Sequence, residues 1–312
     1  SILGGAGTDS ILGGADNDTL LGEAGNDTIL GGDGNDSILG GADSDSLMAG
    51  AGADTLLGEA GNDTLVADAT GMASLVGNDG DDSFLFSSGT QLSNNTVVGG
   101  AGTDTLVLTA ATTITDAQLA RVSGVEVIQA SSLSGNSIAV GANAIAGVPS
   151  GVTLSLVGGA SSDFLSAAGL SSGNIWILGD AVGGSSTMGD TLVAGTGTSR
   201  ATLKGNDNAN ADNYFQISAA SLLGNNSIIG GLSSEDYLQI TGSNQTLSDS
   251  SFSQVSDISG LAANVLDGLI LTGGSNSITL GVTAQGKFGT TISLTGGASG
   301  GDTINLSATP KK

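Results

Sequence analysis

Between Ser1 and Val66 the apolar residues come in pairs, and the pairs return every nine residues: Ile11-Leu12, Leu20-Leu21, Ile29-Leu30, Ile38-Leu39, Leu47-Met48, Leu56-Leu57 and Leu65-Val66. A helix spaces its apolar face at three and four residues, and a half-buried strand at two. Neither period explains nine. The polar stretch between pairs is rich in glycine and ends in Asp followed by Ser or Thr, as in GGAGTDSIL, GEAGNDTIL and GGDGNDSIL. Three residues such as Asp9-Ser10-Ile11 favour an extended segment with alternating sides. Six glycine-rich residues favour a tight turn, since glycine tolerates positive φ. The pattern predicts a coil with two short strands per eighteen residues. Ile11, Leu20, Ile29, Ile38, Leu47, Leu56 and Leu65 would then point inward and stack.

Turns two repeats apart fall on the same edge of such a coil, about 4.8 Å above one another. That places Asp9, Asp27, Asp45 and Asp63 in one file and Asp18, Asp36 and Asp54 in the other. The seven units from Gly4 to Val66 resemble the RTX (haemolysin-type calcium-binding) nonapeptide repeat, and seven tandem copies make the resemblance specific. The resemblance implies a parallel β-roll with Ca²⁺ as cofactor, held between successive turns. Ca²⁺ takes six or more oxygens; the aspartates would supply some and turn carbonyls the rest. Single turns of the same type recur as GNDGDDSFL at 77–85 and GGAGTDTLV at 99–107, adding Asp82 and Asp104 to the candidate ligands. Asp16 and Asp43 replace fourth-position glycines, Glu23 and Glu59 second-position ones, and Ala49 a first. Aspartate tolerates the left-handed region better than most residues, so the turns are expected to survive.

The ninth position is apolar in every unit. If the eighth points in, the ninth points out, which puts an apolar ladder on each outer face. Such patches often mark contacts, so lateral packing against another part of the chain or another subunit is one expectation. Partial exposure on a thin roll is the other.

The nine-residue rhythm breaks at Met72, where the next Asp is due. A larger repeat takes over: FLFSSGTQLSNNTVVGG (84–100) matches FQISAASLLGNNSIIGG (215–231), and GNSIAVGANA (135–144) matches SNSITLGVTA (275–284). The expected organisation is a roll at 1–66 and two copies of a β-rich module at 67–189 and 190–312. Short β-branched runs such as NNTVVGG, DTLVLT and VTLSLVGG read as strands. The fold class is therefore all-β, a β-roll continuing into larger solenoid-like coils, with an array of β-sandwiches as the alternative. The stretch Asp116–Val122 reads as one or two helical turns with Asp116 as a cap. Asparagines at 94–95, 136, 225–226 and 276 suit stacked turns, where their amides bond along the stack. Asn94 and Asn225 also stand in glycosylation acceptor sequences.

Composition narrows the function. The 312 residues include 54 Gly, no Cys and no His, with 30 acidic against six basic residues and a formal charge of −24. So acidic a chain offers no basic patch for nucleic acid or an anionic membrane surface; it calls for a cation. No apolar run approaches a membrane span. Without His or Cys the usual general base and thiol nucleophile are missing. The calcium-dependent lyases built on β-helices need a basic residue at the sugar. Arg121 and Arg200 are the only arginines, and the residue matching Arg121 in the second copy is Gln254. The chain is not read as an enzyme. Ser1-Ile2-Leu3 matches the end of a repeat whose turn is missing, so the chain is read as a piece of something longer.

The expected function is that of a secreted, calcium-binding structural protein that assembles with itself at a bacterial cell surface, as a surface layer, sheath or filament. Ca²⁺ would drive folding and rigidity. The resemblance adds type I secretion, without a cleaved N-terminal signal. The alternative is the calcium-binding secretion segment of a longer RTX enzyme, toxin or adhesin. Cell-surface polysaccharide is a further candidate partner, although Trp176, Tyr214 and Tyr237 are scattered aromatics for a glycan platform.

Overall fold

The computed structural model describes residues 1–68, 71–130, 135–148, 150, 152–159, 163–170, 173–179, 190–195, 200–205 and 213–218, and beyond them the strands at 227–229, 237–241, 246–247, 255–256, 266–271, 277–280, 288–295 and 303–306. The chain divides into two compact units, one of residues 1–131 with 142–154, the other of 132–141 with 155–312.

In the first unit, alternate strands fall into two parallel sheets. One holds Ile2–Ala6, Thr19–Ala24, Ser37–Ala42, Thr55–Ala60, Ser74–Asp79, Thr96–Ala101 and Val122–Ser123. The other holds Ser10–Ala15, Thr28–Asp33, Ser46–Ala51, Thr64–Val66, Ser83–Phe86, Thr105–Leu108 and Val127–Ala130. Equivalent residues stack rung on rung, Ile2 on Leu20, Leu20 on Ile38 and Ile38 on Leu56. Every pairing is parallel, which is the geometry of a coil and excludes an antiparallel sandwich in this unit. The eighth-position residues face inward as the period requires: Leu20, Ile29, Ile38, Leu47, Leu56 and Leu65 are fully buried, and Ile11 almost so.

The strands are longer than three residues. Pairing runs from the Ser or Thr of one unit through the third position of the next, as from Ser10 to Ala15, so the turn proper is confined to positions four to six. Glycine at the second position stays in the ladder at positive φ, 105° at Gly14 and 111° at Gly32. The replacements adopt the same backbone, with Glu23 at 80°, Glu59 at 79°, and the fourth-position Asp16 and Asp43 at 77° and 76°. Neighbouring rungs hold the register at Glu23, paired with Gly5 and Gly41, and at Glu59, paired with Gly41 and Asn78; Asp16 and Asp43 lie in the turns, where aspartate enters the left-handed region readily.

Beyond Val66 the coil widens. The step between stacked rungs is 18 residues in the repeats, 19 from Asp63 to Asp82 and 22 from Asp82 to Asp104. A second inward position opens, filled by Phe86 and Leu108 beside Phe84 and Leu106. The added residues form a short helix, Gly89–Asn94, with the Ser88 hydroxyl accepting from the Gln91 N–H at its start. Gln91 Nε2 donates to the carbonyls of Ala67 (2.7 Å) and Asp68 (3.1 Å), tying the helix to the loop below. The aspartate due at Met72 is displaced by one residue. Ser74 pairs with Thr55, so Ala73 takes the acidic position while Met72 is exposed.

The helical turn expected at Asp116–Val122 is a 3₁₀ turn over Asp116–Leu119. Asp116 does not cap it. Its carboxylate accepts from the N–H groups of Asn143 (3.2 Å) and Ala144 (3.1 Å), at the start of the helix Ala142–Gly147. Thr115 precedes the 3₁₀ turn, and the side-chain oxygen of Gln118 accepts from its N–H and its hydroxyl.

The second unit is also built of parallel strands. One run stacks Ser137–Ala139, Phe164–Ser166, Thr191–Val193, Tyr214–Ser218, Tyr237–Thr241, Leu266–Leu271 and Phe288–Thr295; another stacks Asn174–Leu178, Arg200–Lys204, Ser227–Ile229 and Val255–Ser256. Ile138, Leu165, Leu192, Phe215 and Leu238 are fully buried in it. Asn225, Asn226 and Asn276 lie outside the described residues. Asn95 and Asn136 do bond along the stack: Asn95 Oδ1 accepts from the Ala73 N–H (2.5 Å), and the Asn136 N–H donates to Asp163 Oδ1 (2.5 Å).

A stack of this kind makes each inward residue a shared wall of two rungs. Leu56→Ala should lower stability by about 2–5 kcal/mol. The half-exposed neighbour Leu57→Ala should cost about 1 kcal/mol or less. Denaturant melts at one fixed calcium concentration compare the two.

Candidate metal centre

The nine aspartates of interest stand at the sixth position of their turns, where the chain re-enters a strand. Each N–H in a file donates to the carboxylate one coil further on. Asp9 N donates to Asp27 Oδ1, Asp27 N to Asp45, Asp45 N to Asp63, Asp63 N to Asp82 and Asp82 N to Asp104, at 2.7–2.9 Å. On the other edge Asp18 N donates to Asp36 and Asp36 N to Asp54, both at 2.8 Å. The two files are therefore those the period predicts, and Asp82 and Asp104 extend the first.

From Asp27 and Asp36 onward one carboxylate oxygen is thus satisfied by main chain. The other is not. Oδ2 of Asp9, Asp27, Asp36, Asp45, Asp54, Asp63, Asp82 and Asp104 is buried and meets no hydrogen-bond donor. Asp18 is less enclosed, with its Oδ1 3.9 Å from the N-terminal ammonium. A buried carboxylate oxygen without a donor is a costly arrangement unless a cation faces it.

The first-position glycine of each turn shows where space is held open. A Cβ on Gly31 would come within 2.5 Å of Asp36 Oδ2 and would strike the Ala49 carbonyl oxygen. One on Gly22 would strike Asp27 Oδ2 and lie 2.5 Å from the Gly40 carbonyl oxygen. The same pairing of a carboxylate oxygen with the carbonyl of the next coil recurs at Gly40, Gly58, Gly77 and Gly99. These are hard oxygen donors converging without a proton between them, a donor set that suits Ca²⁺. Ala49 is the exception, since it puts a methyl group where the other turns keep a glycine beside their aspartate. No group of three or more acidic side chains gathers at one point among the described residues, so main-chain carbonyls have to complete any coordination shell.

Burial is the main force on these carboxyls. It pushes Asp82 up to about 7 and Asp45 and Asp104 up to about 6, against an ordinary value of 3.8, and raises Asp54 and Asp63 as well. Neighbouring carboxylates add to the rise, Asp63 and Asp27 on Asp45, and Asp63 and Asp104 on Asp82. The N–H from the coil below pulls the other way in each case.

The family model of the RTX calcium-binding nonapeptide repeat matches residues 3–38, 39–69 and 92–109, in four copies. The roll is made of RTX repeats. RTX nonapeptide repeats bind Ca²⁺, and the orphaned Oδ2 atoms and glycine-held spaces fit that ion. No curated protein and no solved structure matches the chain. RTX proteins are typically secreted, and no helix among the described residues is long and apolar enough to cross a membrane. The RTX roll is a structural fold rather than a catalytic one.

The acidic file runs past the RTX match. Asp82 falls outside the matched residues yet occupies a rung like any other. Asp104 N donates 2.8 Å to Glu126 Oε2, so a glutamate closes the row. In the second unit Asp163 N donates 2.8 Å to Asp190 Oδ1. The aspartate-glycine spacing carried the signal for Asp163, in GGASSDFL, but insertions between coils hide its place in a stack. Asp163 differs from the RTX aspartates. Its Oδ1 accepts from Asn136 and its Oδ2 from the Gly159 N–H at 2.5 Å, so backbone occupies the oxygen that the RTX turns leave open.

A carboxyl whose folded value is raised favours the metal-free fold below its ordinary value and opposes it as pH climbs through the folded one. In excess EDTA the roll should therefore melt at highest temperature near pH 4 and lose stability between about pH 4 and 7. In millimolar Ca²⁺ the trend should reverse, because protons compete for the same oxygens and metal affinity falls below about pH 6. Circular dichroism melts at both conditions across that range check the crossing.

Proposed function

We propose that this chain is a calcium-folded structural element of a bacterial cell surface, assembling with itself into a layer, sheath or filament. The observation that carries the reading is the row of buried carboxylate oxygens without donors. In this reading Asp9, Asp18, Asp27, Asp36, Asp45, Asp54, Asp63, Asp82 and Asp104 hold Ca²⁺, with turn carbonyls as co-ligands. The metal supplies charge neutralisation; the chain's own glycines hold the space and its ladder holds the register. No catalytic role is assigned, as the chain has no His and no Cys.

Folding and location are coupled by the same chemistry. Where calcium is scarce, the acidic chain gains little from stacking and stays loose, since repeat coils depend on their neighbours. Outside the cell, calcium closes the rungs. A chain that folds only after export fits type I secretion. The half-exposed ninth-position ladders supply the lateral contact surface, with Leu21, Leu39 and Leu57 in register on one face and Leu30, Met48 and Val66 on the other.

Electron microscopy of the purified chain, with calcium and after chelation, tests assembly. Ordered sheets or fibres that dissolve in EDTA are expected. A monodisperse monomer at high protein concentration in calcium would instead favour a calcium-binding segment serving a longer protein. The ligand assignment has its own check. Asp27→Asn and Asp63→Asn should each lower calcium stoichiometry in isothermal titration and weaken the remaining affinity several-fold. Asp116→Asn, on a helix start away from the files, should leave the titration unchanged.

A further inference from the structure

In the roll the residue after each file aspartate is a serine or threonine. These small residues pair rung on rung, Thr19 with Ser37 and Ser37 with Thr55. The second unit repeats the arrangement with different residues. Asn136, Asp163, Asp190 and Asn213 are buried and linked in series. The N–H of Asn136 donates to Asp163, that of Asp163 to Asp190 and that of Asp190, at 3.3 Å, to Asn213. The residues that follow them are Ser137, Phe164, Thr191 and Tyr214, and they pair in register in that order. Tyr237 takes the next place in the row.

Aromatic rings thus stand where the roll keeps hydroxyls. Phe164 and Tyr214 are each 39% exposed, while their neighbours Leu165 and Phe215 are fully buried. The alternation of a strand therefore turns both rings outward. Both tyrosines of the chain occupy this row, so the ladder gathers aromatics that the sequence scatters. Trp176 is the exception, since its strand belongs to a different sheet. Gln216 lies two residues beyond Tyr214 on the same face and is half-buried. The strands that carry the row, Ser137–Ala139, Phe164–Ser166, Thr191–Val193, Tyr214–Ser218 and Tyr237–Thr241, contain no charged residue, in a chain of charge −24. The aspartates before Phe164 and Thr191 are buried.

We propose that this face binds a neutral polysaccharide in an extended, β-linked chain, with pyranose rings laid on Phe164 and Tyr214. Rungs of a parallel sheet are about 4.8 Å apart, which sets the two aromatic positions about 10 Å apart, with Thr191 between them. An extended β-linked glycan repeats on the same length scale, one sugar for about one rung. Its pyranose faces carry C–H groups of slight positive charge, which rest on the negative face of an aromatic ring. Its hydroxyls find polar partners in Thr191 and Gln216. An aromatic row interrupted by Ser137 and Thr191 lacks the contiguous apolar core that a protein interface seals. Strands without a cation, in so acidic a chain, repel a uronic-acid polymer and leave a neutral one as the ligand. The inference concerns the second unit alone and does not rest on the self-assembly reading.

Affinity electrophoresis of the chain in millimolar Ca²⁺, through gels containing hydroxyethyl cellulose or polygalacturonate, tests the assignment. Retardation by hydroxyethyl cellulose that persists in high salt is expected, and none by polygalacturonate. Phe164→Thr and Tyr214→Thr install the kind of residue the roll carries at this position. Each should weaken retardation about tenfold while calcium titration and far-UV circular dichroism stay as in the wild type. Thr191→Tyr fills the gap in the row and should strengthen retardation several-fold, a gain that loss of folding cannot imitate. Trp176→Ala, in the other sheet, should change nothing. The proposal is overturned if hydroxyethyl cellulose does not retard the chain, or if Trp176→Ala abolishes retardation while the Phe164 and Tyr214 variants keep it. Retardation by polygalacturonate that salt removes would make the ligand anionic and overturn it too. If the Phe164 and Tyr214 variants instead prevent particle formation with no polysaccharide present, the face is a contact between copies and the proposal falls.

Discussion

A carboxylate that is buried, ionised and offered a single hydrogen bond is the constraint on which this fold depends. Asp27, Asp36, Asp45, Asp54, Asp63, Asp82 and Asp104 each give one oxygen a backbone N–H and leave the other without a donor. Withdrawing a charge from water costs several kcal/mol even after relaxation, and the cost recurs at every coil. The raised carboxyls at Asp45, Asp82 and Asp104 express that cost in the metal-free chain. Repulsion between rungs is the smaller part of it. Burial comes first, because the turns close over the aspartates while the ladder of N–H donors partly offsets their neighbours.

Calcium therefore acts inside the architecture rather than upon it. The first-position glycines keep a space beside the dry oxygen, and the carbonyl of the next coil faces the same space. A methyl group stands at one such position, Ala49, in the turn that ends at Asp54. In the second unit the rung at Asp163 leaves neither oxygen open: Oδ1 receives Asn136 and Oδ2 the Gly159 N–H. The same parallel ladder thus supports two ways of holding an acidic rung, one that calls for a cation and one that is closed by the chain.

The widening beyond Val66 follows from the core. One eighth-position side chain per half-coil fills a narrow roll; adding Phe86 and Leu108 beside Phe84 and Leu106 requires a longer path around the perimeter. The chain spends the extra residues on the helix at Gly89–Asn94 and on the 3₁₀ turn at Asp116–Leu119. Asp104 and Glu126 keep their places in the file across these insertions, since the strand ladder, not the loop length, sets the rung.

By itself the sequence determined the coil, the inward stack and both aspartate files, because a period of nine admits one register once two turns make a full coil. It also carried the tolerance of Asp16 and Asp43, a property of the side chain. Four things were decided only in three dimensions. Pairing continues through the glycines and shrinks the turn, which depends on neighbours above and below. Ala73 rather than Met72 occupies the missing acidic position, because the ladder absorbs a one-residue insertion. Asp116 caps the helix at Ala142–Gly147 rather than its own turn, through contacts 27 and 28 residues along the chain. Glu126 closes the file through a hydrogen bond to Asp104, and nothing local to its sequence announces it. Local periodicity is legible where repeat length is constant; once loops vary, which residues share a rung is set by packing between coils.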